Sequence, residues 1–318
     1  MYKYIDMHCD SLLKGIDDNR LYDRPENMLD ISGMASAGQG AQFFAVFFPP
    51  KPMLPPETTD DGLFERARAL LLETATSHPE VLRMAFNADD IRANMSGGLI
   101  SAVLTVEDGR AVRGDMNRLR WFYEAGVRAM ALTWNDPNCF GYPNSADEAG
   151  MRLGLTDFGK EAIAEMNTLG MLVDVSHLSD GGFWDVAALS EKPFVATHSN
   201  CRALCGHQRN LTDEMIRALA KKGGVAGVNF NPGFLTPDGK NESRVEDLCR
   251  HVLHLIEVGG EDCVGLGTDF DGIGGTLEIG RPTEMTKLFD ALSQKGVTER
   301  QLEKFATGNV LRVMSDAL

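Results

Sequence analysis

Residues 4–10 read YIDMHCD. A short apolar run reaches His8, passes Cys9 and stops at Asp10. In a strand, residues two apart share a face, so His8 and Asp10 would look one way and Cys9 the other. That spacing suits two ligands on one metal ion. It suits an ordinary His–Asp hydrogen bond equally well. Similar endings recur along the chain: Glu107 closes LISAVLTVE, His177 closes MLVDVSH, His198 follows PFVAT, and Asp269 follows CVGLGT.

Each residue taken singly has a plain structural reading. A histidine at a strand end is usually hydrogen-bonded and structural. Glu107 could be a salt-bridge partner or cap a helix, and Asp108 and Gly109 beside it look like turn chemistry. Asp269 could hold a loop, although Asp271 is better placed for that. His78, His251 and His254 fall in helical or turn contexts and read as ordinary. The joint pattern is stronger than its members. Asp10, Glu107 and Asp269 would carry three negative charges into one concave site, where like charges protonate or cost several kcal/mol. Two divalent cations and one hydroxide would cancel them. Imidazole and carboxylate without thiolate suit zinc, with manganese or cobalt as alternatives. Two ions about 3.5–4 Å apart call for a bridging carboxylate. Glu107, on a strand between those carrying the other ligands, is the candidate.

What positions these residues is a series of eight short apolar runs: YKYIDMH, GAQFFAVFF, LISAVLTVE, VRAMALTW, MLVDVSH, PFVATHS, GVAGVNF and CVGLGTDF. They are too short for helices and too continuously apolar for a half-exposed sheet, as strands buried on both faces are. Helical patterns separate them. Those over 59–79, 114–126, 156–170 and 212–223 start on Thr or Asp caps and stop at glycine or, for the first, proline. Residues 243–260 and the last forty positions are also helical in pattern. Alternating strands and helices predict a parallel sheet, and eight units predict an α/β fold of the (β/α)8 barrel type. The absence of G-x-G-x-x-G after the first strand weakens an open dinucleotide-binding sheet. No linker stands out, so residues 1–318 are expected to form one catalytic domain. The Pro-rich stretch 49–60 reads as a surface excursion.

The bulk numbers fit an enzyme. The chain has 318 residues, 43% hydrophobic and 24% charged, with a net charge of −15. There is no basic block or basic helix face, which argues against nucleic acid as a partner. No apolar run reaches 18 residues, so no membrane span is expected. No signal-peptide or anchor pattern is seen. The six cysteines form no disulfide framework, which points to reduced thiols and the cytoplasm.

Together the stretches DMHCD, TVEDG, VDVSHLSD, ATHSNCRAL with RNLTDEM, VGLGTDFDG and GNVLRV resemble the membrane (renal) dipeptidases, a family of zinc-dependent peptidases, over nearly the whole chain. The resemblance implies a barrel holding two zinc ions. It implies that His8 and Asp10 bind one ion, that His177 and His198 bind the other, and that Glu107 bridges them. It implies that Asp269 serves a bridging water as acid/base and that Arg209 holds the substrate carboxylate. From its own position Arg209, just before a helix, reads as solvated surface. One departure stands out. Animal members end the fourth strand in LTH, with a histidine that contacts substrate; here the run is LTWN. Trp134 offers an apolar face and one N–H donor but cannot carry a proton. Asn135 is the candidate to take part of that contact.

The expected reaction is dipeptide hydrolysis. A metal-bridging hydroxide attacks the carbonyl, and Asp269 takes the proton and passes it to the leaving amine. The expected partners are a small dipeptide and, as a homodimer, a second copy of the chain. The rival is a metal-dependent amidohydrolase acting on a cyclic amide or lactam. Many of those begin with H-x-H and bridge their metals with a modified lysine. Here the motif is H-x-D, and no lysine ends a central strand.

Overall fold

The structure is a computed structural model and describes residues 2–50, 53, 55 and 57–318. The excursion expected for 49–60 lies outside the described residues at Lys51, Pro52, Leu54 and Pro56. Eight parallel strands close a barrel: β1 Ile5–Cys9, β2 Ala41–Phe47, β3 Ile100–Glu107, β4 Ala129–Ala131, β5 Leu172–Asp174, β6 Val195–Ala196, β7 Val225–Val228 and β8 Val264–Leu266. Each pairs with the next in sequence, and β8 returns to β1 through Asp6 and Leu266. This is the (β/α)8 barrel that the eight apolar runs predict. A further three-residue strand, Leu82–Met84, pairs outside the ring with β3 and was not predicted. Its three residues sit just after the helix Asp60–Ser77, a run too short for periodicity to reveal.

Side chains sort into two layers. Ile5, Met7, Ala41, Phe43, Val103, Ala129, Leu172, Val195 and Val225 fill the barrel with Val310, Val313 and Met314 of the C-terminal helix Asn309–Ala317. Cys9, Phe44, Leu104, Val106, Met130, Val173, Ala196, Val228 and Leu266 instead pack under the surrounding helices. Along β1 the alternation breaks. The register with β2 shifts between Asp6 and Cys9. Ile5 and Met7 point inward below the shift, whereas Cys9 points outward above it. The extra residue puts His8 directly above Met7 on the inside, which is how a bulge re-aims a side chain next to a site.

The helices start where caps predict. Thr59, Asp115, Thr156 and Thr212 each accept a backbone N–H two or three residues on. Close approach of strands is bought by glycine at the top of the barrel. A Cβ on Gly227 would stand 2.0 Å from the carbonyl oxygen of Thr197, and one on Gly267 would stand 1.7 Å from it.

His251, in helix Val245–Gly259, is fully buried. Its Nδ1 accepts from Cys201 N at 3.1 Å and its Nε2 faces the Leu235 carbonyl at 2.9 Å. Burial pushes its pKa from 6.5 down to about 4. The unfolded chain therefore takes up a proton that the folded chain refuses between those values. Stability is full above pH 6.5 and falls as pH drops toward 4, by about 3 kcal/mol from this group. In urea unfolding at pH 7 and pH 5, wild type is expected to lose more stability on acidification than His251→Gln. Equal losses would show that His251 is not the source.

Candidate metal centre

The six ionisable residues of the strand-end pattern meet at the C-terminal mouth of the barrel. His8 lies within β1, and Asp10 follows it as the first residue beyond. Glu107 is the last residue of β3. His177, His198 and Asp269 sit two or three residues past β5, β6 and β8. His177 and Asp269 hold left-handed backbone, with φ of 69° and 63°. Such residues cost about 1–2 kcal/mol each and cluster at functional sites. The His177 carbonyl is tied by Asn144 N at 2.7 Å and Asn144 Nδ2 at 3.0 Å. Asp269 N donates to the His8 carbonyl at 3.2 Å.

Glu107 divides its carboxylate between two groups of ligands. Its Oε2 lies 3.5 Å from His8 Nε2, while its Oε1 lies 3.0 Å from His177 Nε2 and 3.5 Å from His198 Nε2. His8 Nε2 is also 3.8 Å from Asp10 Oδ2 and 3.8 Å from Asp269 Oδ1. The Nε2 atoms of His177 and His198 approach to 3.1 Å. Two nitrogens on one tetrahedral zinc stand about 3.3 Å apart, from Zn–N bonds of about 2.0–2.1 Å. Ligand atoms of His8, Glu107 and His198 lie within 4.8 Å of one another, as do those of His8, Asp10 and Asp269. His8 Nε2 and Asp10 Oδ1 are buried with no hydrogen-bond partner among the described residues. Buried polar atoms are ordinarily paired, so this donor set fits a metal ion.

Electrostatics agrees. Burial, then Asp10, pushes Glu107 up to about 8. Burial also raises Asp269 to about 6; His8 opposes that shift and Asp10 adds to it. Burial works against a His8 cation, but Glu107 and Asp10 outweigh it and hold His8 above the usual range. Burial, helped by Arg209 and His8, keeps His177 and His198 well below it. Neutral imidazoles are the metal-binding form, and His177 and His198 are held in it.

A cleft of about 780 Å³ opens over this cluster, lined among others by Phe47, Trp134, Asn135, Asn144, Arg209 and Phe234. Arg209 is buried, contrary to the solvated surface its sequence position implies. Its Nη1 donates to Ser199 Oγ at 3.3 Å, its Nη2 donates to the His198 carbonyl at 3.2 Å, and its guanidinium lies 5.5 Å from the Phe234 ring centre. Burial lowers its pKa to about 10, so it stays cationic at neutral pH. Trp134 packs on Phe47 with ring centres 4.9 Å apart. Asn135 lines the same cleft, and its Oδ1 is 3.3 Å from His177 Nδ1. Asp271 ties a neighbouring loop, accepting from Ser11 Oγ and Met28 N. Asn229 joins the site without being one of the residues expected from the strand-end pattern. Its Nδ2 donates to Asp269 Oδ2 at 2.9 Å. Its place near the end of the seventh run marks it, but an amide is not an ionisable strand end.

A family model described as membrane dipeptidase, peptidase family M19, matches residues 1–318. The chain belongs to the membrane dipeptidase family. It is a metal-dependent dipeptidase, a hydrolase of dipeptides. An uncharacterized dipeptidase of Schizosaccharomyces pombe is 36% identical over 232 residues, 71% of this chain; the match spans 55% of that relative's length. The crystal structure of dipeptidase AC, a metallopeptidase of family M19, superposes with a TM-score of 0.91 at 30% identity, covering 99% of this chain and 98% of that one. A metallopeptidase from Rhodobacter sphaeroides, solved with a phosphinate mimic of the dipeptide L-Ala-D-Ala, gives a TM-score of 0.89 at 28% identity and covers 99% of both chains. Despite the family name, no helix among the described residues is long and apolar enough to cross a membrane.

Proposed function

We propose that this dipeptidase works with two zinc ions bridged by Glu107. His8 and Asp10 hold one ion, and His177 and His198 hold the other. The observation that carries this reading is the divided Glu107 carboxylate, with one oxygen toward His8 and the other toward the paired imidazoles. Bound there, zinc supplies Lewis acidity and makes hydroxide available from water at neutral pH.

The chain's own residues do the rest. Asp269 accepts the proton released on attack and returns it to the leaving amine. Asn229 fixes one of its oxygens and leaves the other toward His8. Arg209 pairs with the free carboxylate of the substrate, and its burial favours a charged partner over water. Trp134 and Phe47 give the cleft an apolar wall beside Asn135. An alanyl dipeptide is the natural first substrate to assay, since the Rhodobacter relative was solved with a mimic of one. The cytoplasm is the compartment we propose, supported by six cysteines that are all unpaired.

Metal analysis tests the reading. Purified protein is expected to carry about two zinc ions per chain and to lose activity to a chelator. Glu107→Gln is expected to lower the metal content. Activity that survives chelation in metal-free protein would sink the proposal.

A further inference from the structure

Behind His198 a short run of hydrogen bonds leads to a buried carboxylate. His198 Nδ1 lies 2.8 Å from Thr197 Oγ1. The Thr197 hydroxyl in turn makes a short hydrogen bond to Asp174 Oδ2. Asp174 Oδ1 accepts from Ser176 N at 2.9 Å and from Thr197 N at 3.0 Å. Asp174, Thr197 and His198 are all buried. Gly227 of β7 and Gly267, the residue after β8, lie so close to the Thr197 carbonyl that a Cβ on either would collide with it.

The donors and acceptors leave one arrangement. A hydroxyl has a single proton, and a carboxylate only accepts. The Thr197 proton therefore goes to Asp174, and toward His198 the hydroxyl is an acceptor. His198 must then carry its proton on Nδ1. A neutral imidazole has one N–H, so Nε2 keeps its lone pair, aimed at Glu107 and His177. We propose that Asp174, acting through Thr197, is a positioning residue that sets the tautomer of His198 and keeps its Nε2 free for metal. The proposal rests on His198 being a ligand of the zinc centre described above.

The same wiring occurs once more without an imidazole. Asp6 accepts from Thr268 N at 2.9 Å, Thr268 Oγ1 at 2.6 Å and His8 N at 3.3 Å. Thr268 precedes Asp269 as Thr197 precedes His198. The Asp–Thr pair by itself thus joins neighbouring strands. The added contact to Nδ1 is what couples the second pair to metal binding, and the experiment has to separate these two roles.

Asp174→Asn does so. The two backbone N–H groups on Oδ1 demand an oxygen there, so the amide nitrogen must take the place of Oδ2 and donate to Thr197. The Thr197 proton then turns to Nδ1 and moves the imidazole proton to Nε2. Ser176 Oγ, 3.3 Å from Thr197 Oγ1, is the other acceptor in reach among the described residues. Ser176→Ala combined with Asp174→Asn removes it. Nitrogen-15 NMR of metal-free protein should show His198 protonated on Nδ1 in wild type and on Nε2 in the double variant. Competition with a chromophoric chelator should show about 10- to 100-fold weaker zinc binding at one site, the usual cost of losing a partner behind a metal-bound histidine. Thr197→Ser should bind zinc as wild type does, and Thr197→Val should show the weakened site. This pair carries the test if the aspartate variants do not fold. An Nε2–H tautomer in zinc-binding wild type, or unchanged zinc affinity in Thr197→Val, overturns this proposal alone. Wild type that has the Nδ1–H tautomer but binds no zinc overturns the zinc centre instead.

Discussion

Asp269→Asn is expected to lower kcat by about 10²–10⁴-fold, the usual range for a lost general acid/base, with KM and metal content little changed. An amide can neither take the proton released on attack nor return it to the leaving amine. The substitution is otherwise mild. Position 269 sits at φ 63°, and asparagine enters left-handed backbone readily. The amide oxygen can still accept from Asn229. A fall in kcat and kcat/KM together, with metal retained, marks an interaction used only in the transition state. Steady-state kinetics paired with metal analysis of the same preparation checks it. If kcat stayed within tenfold of wild type, Asp269 would have no part in proton transfer.

Arg209 is expected to select substrates by length. A buried, charge-assisted pair between its guanidinium and a carboxylate is strong and directional. One more peptide unit moves that carboxylate away by roughly 3.3–3.6 Å and leaves a neutral amide facing a buried cation. Losing one partner of such a pair costs about 2–4 kcal/mol, roughly 30- to 1,000-fold in kcat/KM. Tripeptides and C-terminally amidated dipeptides should therefore be poor substrates. Arg209→Ala should narrow their disadvantage, chiefly by raising KM for dipeptides, because the pair exists in ground and transition state alike. Trp134 and Phe47 supply apolar contact that does not depend on this charge, so some dipeptide turnover should survive in Arg209→Ala. Equal kcat/KM for a dipeptide and its amide in wild type would remove Arg209 from carboxylate recognition.

The positions of the site's charged residues were legible because a parallel barrel gathers its strand ends at one mouth. Once eight apolar runs are recognised, whatever polar residue ends each run must converge there. His8, Asp10, Glu107, His177, His198 and Asp269 follow from that rule. The helix caps at Thr59, Asp115, Thr156 and Thr212 were legible for another reason, since capping is local chemistry within a few residues.

Other features depend on contacts between distant segments, and only the tertiary structure decided them. The register shift in β1 that turns His8 inward above Met7 depends on pairing with β2. Arg209 lies buried because the loop after His198 folds back, with Cys201 bridging to Leu211 and His251 tying Cys201 from another helix. Nothing near Arg209 in sequence announces that. Asn229 and Asp174 took their meaning from residues just past the end of the next strand, Asp269 and Thr197. Periodicity and spacing report which face a side chain takes along its own element. Which atoms meet it from across the barrel is set by strand register and loop closure, and these act over sequence separations that no local pattern records.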